Sequence, residues 1–183
     1  MIYYTADLHL GHANVIRFDS RPFDDVGEMD RYIIDLWNAR VNEDDHVYIV
    51  GDICLNNSKP EEHYLAKLKG HKHLIVGNHD GKLLKNQKAI SYLDSIDDIL
   101  QIEDNGRRIC LCHYPMAEWP GYYRGAWHIY GHIHNNKNEA FYNMKEKEKA
   151  LNAGCCINNY IPVTFEELIL NNKNFKEMED ELQ

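Results

Sequence analysis

Short apolar runs punctuate this chain, and several of them break off in the same way. Ile2-Tyr3-Tyr4-Thr5-Ala6 ends in Asp7-Leu8-His9, a run over residues 46–50 ends in Gly51-Asp52, and Leu74-Ile75-Val76 ends in Gly77-Asn78-His79-Asp80. A run over residues 109–112 ends in His113, and Trp127-His128-Ile129-Tyr130 leads into Gly131-His132-Ile133-His134. Compact apolar runs of this kind predict buried strands. Strands that deliver Asp, Asn or His at their carboxyl ends, often across a glycine, suit active-site loops on an α/β sheet.

Between the first three runs the spacing becomes helical. Met29, Ile33, Leu36 and Trp37 recur as on one helix face over residues 28–40. Ser58-Lys59-Pro60-Glu61 reads as a capping box opening a helix to about Lys69. Strand, helix, strand, helix, strand predicts an α/β half with mostly parallel strands. Farther on, runs at 96–102 and 109–112 flank Asp104-Asn105-Gly106, a hairpin signal. With further strands at 127–130 and 150–153, the spacing predicts a second, hairpin-rich sheet packed on the first. Thr164-Phe165-Glu166-Glu167 is another capping box, opening a last helix to about Asn171, and residues 145–149 read as a charged, solvated loop. The expectation is a single domain over residues 1–172 and an acidic, frayed end at 173–183.

Composition narrows the partners. The 183 residues are 44% hydrophobic and 27% charged, as in an ordinary globular protein. A net charge of −9 argues against an extended surface that tracks nucleic-acid phosphates. A small phosphorylated substrate, including a short nucleotide, stays compatible if metal ions supply a local positive field. Met1 leads directly into the first strand, with neither a signal peptide nor a membrane-length apolar run, so no membrane partner is expected. Cys54, Cys110, Cys112, Cys155 and Cys156 read as reduced, buried thiols of a cytoplasmic protein. Cys110-Leu111-Cys112-His113 imitates part of a zinc site, but no second cysteine pair stands at zinc-ribbon spacing.

The strand ends carry the chemistry. Asp7 and His9 are two residues apart, so in extended backbone they would project to one side, and His132 and His134 repeat that spacing. Asp52 follows a glycine, where a carboxylate with lone pairs free on both oxygens can bridge two ions. Asn78 offers a neutral oxygen and His113 another imidazole. Seven mixed oxygen and nitrogen ligands are too many for one tetrahedral ion. They suit two ions about 3.5–4 Å apart sharing a carboxylate, as in two-metal phosphatases. This donor set fits Mn²⁺ first, with Fe, Zn²⁺ or Ni²⁺ as alternatives, rather than Ca²⁺.

Asp7-Leu8-His9, Gly51-Asp52, Gly77-Asn78-His79-Asp80, His113 and Gly131-His132-Ile133-His134 resemble, in order, the five blocks of the calcineurin-like metallophosphoesterase family. Leu151-Asn152-Ala153-Gly154 and Pro162-Val163-Thr164 resemble its last strand and helix start. The resemblance implies a four-layer α/β sandwich of two mixed β-sheets flanked by helices. It implies that Asp7, His9 and His134 hold one metal, that Asn78, His113 and His132 hold the other, and that Asp52 bridges them. It further implies that hydroxide formed between the ions attacks phosphorus, while His79 contacts the phosphate and protonates the leaving group, a task that suits an imidazole. The chain departs from the family pattern in its extra His12 and is too short for a large cap, so a small, open pocket is expected.

Plainer readings apply elsewhere. His46, His63, His71, His73 and His128 read singly as hydrogen-bonded core or surface residues. His12 either contacts substrate phosphate or caps the helix that follows, and Asp80 orients its loop. Arg17 and Arg21 either form phosphate forks or pair with Asp19, Asp24 or Asp25 on the surface. Tyr114, Trp119, Tyr122, Tyr123 and Trp127 either wall a stacking pocket or pack an irregular loop, with packing favoured. A metal-dependent phosphoesterase, with a diester or nucleotide favoured over a monoester, is the leading function. The rivals are a catalytically silent scaffold of the same fold and, more remotely, a zinc-ribbon-like nucleic-acid binder.

Overall fold

Side chains that alternate along each strand sort the core into layers. In the computed structural model, which describes residues 1–57 and 59–178, β1 (Ile2–Thr5), β2 (His46–Ile49), β3 (His71–Ile75) and β4 (Ser95–Asp97) form one sheet in that order, wholly parallel. Helices α1 (Ala13–Phe18) and α2 (Val26–Arg40) lie between β1 and β2, and α3 (Glu61–Leu65) lies between β2 and β3. One face of the sheet presents Tyr3, Val47, Ile49 and Leu74, which pack with Met29, Ile33 and Trp37 of α2 and with Tyr64 and Leu65 of α3. Asp25 caps α2 by accepting from the Glu28 N–H at 2.8 Å.

After α4 (Gln87–Ile90), the chain builds a second sheet from β5 (Ile99–Asp104), β6 (Arg107–Cys112), β7 (Trp127–Tyr130) and β8 (Ala150–Asn152). Tyr4, Val50 and Ile75 of the first sheet meet Ile109, Leu111, Ile129 and Leu151 of the second in a shared core. The alternate residues Cys110, Tyr130 and Ala150 face outward against Trp119 and against Phe141 and Met144 of α5 (Glu139–Lys145). The layers therefore run helices, sheet, sheet, helix. The last helix, α6 (Phe165–Glu177), inserts Phe165 and Leu168 into the core between the sheets and carries the Thr164–Glu167 capping box read from the sequence.

Several local expectations are corrected. Residues 96–102 are not one strand: β4 ends at Asp97 and β5 starts at Ile99, so the chain crosses between sheets at Asp98. Two aspartates make a polar break too short to stand out in an apolar run. The second sheet contains a single hairpin, turning at Asn105-Gly106 with positive φ at both residues; β6, β7 and β8 are parallel. Helix α3 is shorter than expected, opening behind Pro60 without a side-chain cap; Ser58 lies outside the described residues. Proline suits that place because its φ is fixed and it has no N–H to leave unpaired.

The chain beyond Asn171 also differs. Helix α6 continues to Glu177 because Asn172 holds the backbone of Asn152, accepting from its N–H at 2.7 Å and donating to its carbonyl at 2.9 Å. Phe175 then packs edge-on against Phe141. Residues 179–183 of the acidic end lie outside the described residues. The 145–149 stretch is a charged turn as expected, except that Lys145 ends helix α5, whose buried face carries Phe141 and Met144. No helix among the described residues is long and apolar enough to cross a membrane.

Candidate metal centre

The strand-exit residues converge, but not through extended backbone. Asp7, His9, Asp52, His132 and His134 all have positive φ, between 52° and 71°. For residues with a Cβ this left-handed geometry costs about 1–2 kcal/mol each. The exits of β1 and β2 hold each other in it: the Asp7 N–H donates to Gly51, the His9 N–H to Asp52 and the Leu10 N–H to Ile53, at 2.8–3.0 Å. The glycines leave room for the side chains. A Cβ on Gly51 would lie 2.1 Å from His113 Nδ1, and one on Gly77 would lie 2.2 Å from Asp52 Oδ1.

Around Asp52 two groups of donors form. Single donor atoms of Asp7, His9, Asp52 and His134 all lie within 4.8 Å of one another. His9 Nε2 is 3.1 Å from His134 Nε2, and His134 Nε2 is 3.8 Å from Asp7 Oδ1. On the other side, Asn78 Oδ1 lies 2.9 Å from both His113 Nε2 and His132 Nδ1. Asp52 Oδ2 stands between the groups, 3.7 Å from His9 Nε2 and 3.6 Å from His113 Nε2. Asp52 Oδ1 accepts from the His79 N–H at 2.9 Å, so the expectation of two free oxygens is corrected: only Oδ2 faces both groups.

These residues fit cations. His113 Nδ1 donates to the Val50 carbonyl at 2.9 Å, the tautomer in which Nε2 is an acceptor, and Nε2 faces Asn78 Oδ1. Two acceptors turned toward each other call for a cation or a proton between them. Asp7 Oδ2 and His9 Nδ1 are buried without a hydrogen-bond partner. Burial, opposed by His134 and aided by Asp52, raises the Asp7 carboxyl to about 7. Burial and then His134 push His9 down to about 2, keeping its ring neutral and able to ligate. The set comprises carboxylate, amide and imidazole donors, without thiolate.

A surrounding layer fixes the donors. Asp80 is buried and accepts from the N–H groups of Asp52 and Gly77 through Oδ2 and of Ile53 through Oδ1, at 2.8–3.0 Å, the orienting role expected of it. Asp19 plays a role that sequence reasoning missed. Both its oxygens lie 2.8 Å from His134 Nδ1, which directs His134 Nε2 to the cluster. Burial alone would lower the His134 pKa, but Asp19 and Asp7 outweigh it and raise it. Arg21 pairs with Asp19, one of the partners expected of it, but in the interior rather than on the surface, and it is no phosphate fork. It is buried, donates to Asp19 Oδ2, and clamps the carbonyls of Asp7 and Leu8 at 2.9 Å. Asp19 follows a short helix with no periodic signal, so only the folded geometry marks it. Asp19→Asn is expected to weaken ion binding roughly 10–100-fold. Competition with a chelator would measure this, and unchanged affinity would show that Asp19 does not set the ring.

Other predicted residues border the cluster. The half-buried His79 ring lies edge-on to His9, with centroids 5.6 Å apart. His12 sits 6.1 Å from the His9 ring and makes no side-chain cap to α1, so its capping alternative drops out. Arg17 is exposed, beside Phe18. Of the aromatic loop, Tyr114 alone touches the centre, with its ring 4.8 Å from His132 and 5.2 Å from His113. Trp119, Tyr122 and Tyr123 instead wall a separate cleft of about 500 Å³ with Asn143 and Lys147. His128 is a buried structural residue: Nδ1 donates to Cys110 O, and Nε2 accepts from the Met116 N–H.

No family model matches the chain. It is 33% identical over 170 residues to the uncharacterized protein MJ1445 of Methanocaldococcus jannaschii, covering 92% of this chain and 89% of that protein. The crystal structure of AQ665, a protein of unknown function from Aquifex aeolicus, superimposes with a TM-score of 0.72 and 28% identity over 91% of this chain and 96% of that one. Pseudomonas putida nuclease MPE is more distant, with a TM-score of 0.48 and 18% identity over 73% and 60% of the two chains. By its identity and coverage with the archaeal protein, the chain belongs to the family of MJ1445.

Proposed function

We propose that this chain is a phosphoric ester hydrolase working with two divalent cations, favouring phosphodiesters or nucleotides over monoesters. One observation carries the reading: two groups of nitrogen and oxygen donors flank a single carboxylate oxygen, Asp52 Oδ2, at 3.6 and 3.7 Å. In this reading Asp7, His9 and His134 hold one cation, Asn78, His113 and His132 the other, and Asp52 both. Such a pair, when bound, would make water a nucleophile at neutral pH and offset charge building on phosphorus. Mn²⁺ is the first choice for the mixed donor set, with Fe, Zn²⁺ or Ni²⁺ as alternatives. His79 gives a proton to the departing oxygen and, with Asn78 and His12, binds the phosphate. The exposure of Asn78 and His132 supports an open site for a small phosphorylated substrate.

The test combines ion analysis with hydrolysis assays. Protein prepared with Mn²⁺ should carry about two ions per chain. It should cleave members of a screen spanning phosphomonoesters, phosphodiesters, cyclic nucleotides and dinucleoside polyphosphates. Chelation should stop that cleavage and Mn²⁺ should restore it. Full activity in ion-free protein would overturn the proposal, as would two bound ions with no hydrolysis of any ester class.

A further inference from the structure

The two donor groups differ in how they meet solvent. Asp7, His9 and Asp52 are buried, whereas Asn78 and His132 are exposed, so the centre opens on the Asn78–His132 side. Tyr114 stands at that opening. Its ring is tilted on His132 with centroids 4.8 Å apart and lies edge-on to His113 at 5.2 Å. It is 46% exposed, while Trp119 farther along the same loop is 4% exposed. A large ring left half in water beside a polar centre needs a reason. Packing of the loop supplies none, because Trp119 and Met116 already cover the outer face of the second sheet.

The ring is prepared to hold a flat partner. One of the imidazoles behind it, His113, is itself buried and fixed by its bond to the Val50 carbonyl. Pro115 restricts the Tyr114 backbone, and a tyrosine side chain turns about only two angles, so little freedom is lost on binding. Every nucleobase offers a π-face to such a ring. One ring accommodates one base, and the net charge of −9 opposes a longer strand. Direction follows from His79. In the proposed reaction it protonates the leaving oxygen, and its ring lies edge-on to His9 at 5.6 Å, in the donor group opposite to that of His113 and His132. The leaving oxygen thus lies toward His9, and the group that stays on phosphorus lies toward Tyr114.

Resting on the phosphoesterase reading, we infer that Tyr114 is a specificity-determining residue that stacks a nucleobase, so that the substrate is a phosphodiester whose retained group is a nucleoside. Water's oxygen bonds to phosphorus and releases a proton. The bond from phosphorus to the leaving oxygen breaks, and that oxygen takes a proton from His79. The products are a nucleoside monophosphate and an alcohol.

Two diesters with one leaving group in common are the probes: thymidine nitrophenyl phosphate, and methyl nitrophenyl phosphate, which has no base. The readout is the ratio of their kcat/KM values. Wild-type protein and Tyr114→Phe, which keeps the aromatic face, should prefer the thymidine ester. In Tyr114→Ala that preference should fall roughly 5–100-fold, the range for losing one base–aromatic stack. Ion counts check that His113 and His132 stay in place, and Tyr114→Leu, which keeps apolar bulk against them, serves if the alanine variant loses ions. An undiminished preference without the ring would overturn the inference, as would a fall in Tyr114→Phe as large as in Tyr114→Ala. Failure of wild-type protein on both esters would instead count against the phosphoesterase reading. Calorimetry with adenosine monophosphate then decides on Tyr114 without turnover. Wild type and Tyr114→Phe should bind it roughly 5–100-fold more tightly than Tyr114→Ala, and equal affinities would overturn the stacking.

Discussion

Asp52→Asn is expected to cut hydrolysis roughly 10³-fold or more and to lower the occupancy of both ions. Asp52 Oδ2 is the one oxygen facing both donor groups, and its loss of charge touches each. Asparagine keeps an oxygen to accept the His79 N–H, so the loop geometry survives and the missing charge is isolated. Cation stabilisation of a phosphoryl transition state is worth several kcal/mol, and about 1.36 kcal/mol is a factor of ten in rate. Ion analysis should show both sites disturbed in this variant and full occupancy in His12→Ala, whose ring lies outside the donor cluster. Two ions retained by Asp52→Asn, or ions lost from His12→Ala, would reject the assignment.

His79→Ala separates proton donation from ion binding. Nitrophenolate leaves readily without a proton, whereas an alkyl or sugar alkoxide does not. The variant should therefore keep both ions and lose little activity on nitrophenyl phosphate esters. On alkyl esters it should lose roughly 10²–10⁴-fold, the usual range for general acid catalysis. The loss should fall on kcat more than on KM. A histidine that merely holds a phosphate oxygen would penalise both ester types alike, so equal losses would reject the acid role. Loss of an ion would make His79 a ligand.

Much of this centre was legible in the chain because apolar strands ending in Asp, Asn or His leave a local signature. The donors at Asp7, His9, Asp52, Asn78, His113, His132 and His134 all stand at such ends. Their backbone was not legible. Spacing suggested that Asp7 and His9 share a side of an extended strand, yet both have left-handed φ, a geometry imposed by hydrogen bonds to the neighbouring loop. The pairing of Arg21 with Asp19 was among the readings of the sequence, but its place behind the centre was not, because His134 and the carbonyls of Asp7 and Leu8 are brought near only by folding. The boundary between the sheets escaped because Asp97-Asp98 interrupts the apolar run so briefly. The stacking of the His46 ring on those of His71 and His73 follows from strand register, which spacing along one strand cannot supply.

The crossing at Asp98 divides the strands by sequence: β1–β4 precede it and β5–β8 follow it. In the proposed ion assignments, Asp7 and His9 precede it while their partner His134 follows, and Asn78 precedes it while His113 and His132 follow. Neither half of the chain owns a complete ion site. At a hundredfold excess over its dissociation constant, an ion bound only by the native state stabilises it by about 2.7 kcal/mol. Here that stabilisation acts on the docking of one half against the other. Ion scarcity would then do more than stop catalysis: it would withdraw that stabilisation from the junction between the halves, leaving their shared apolar core to hold them. The same ions would thereby tie the two halves together as well as serve the reaction.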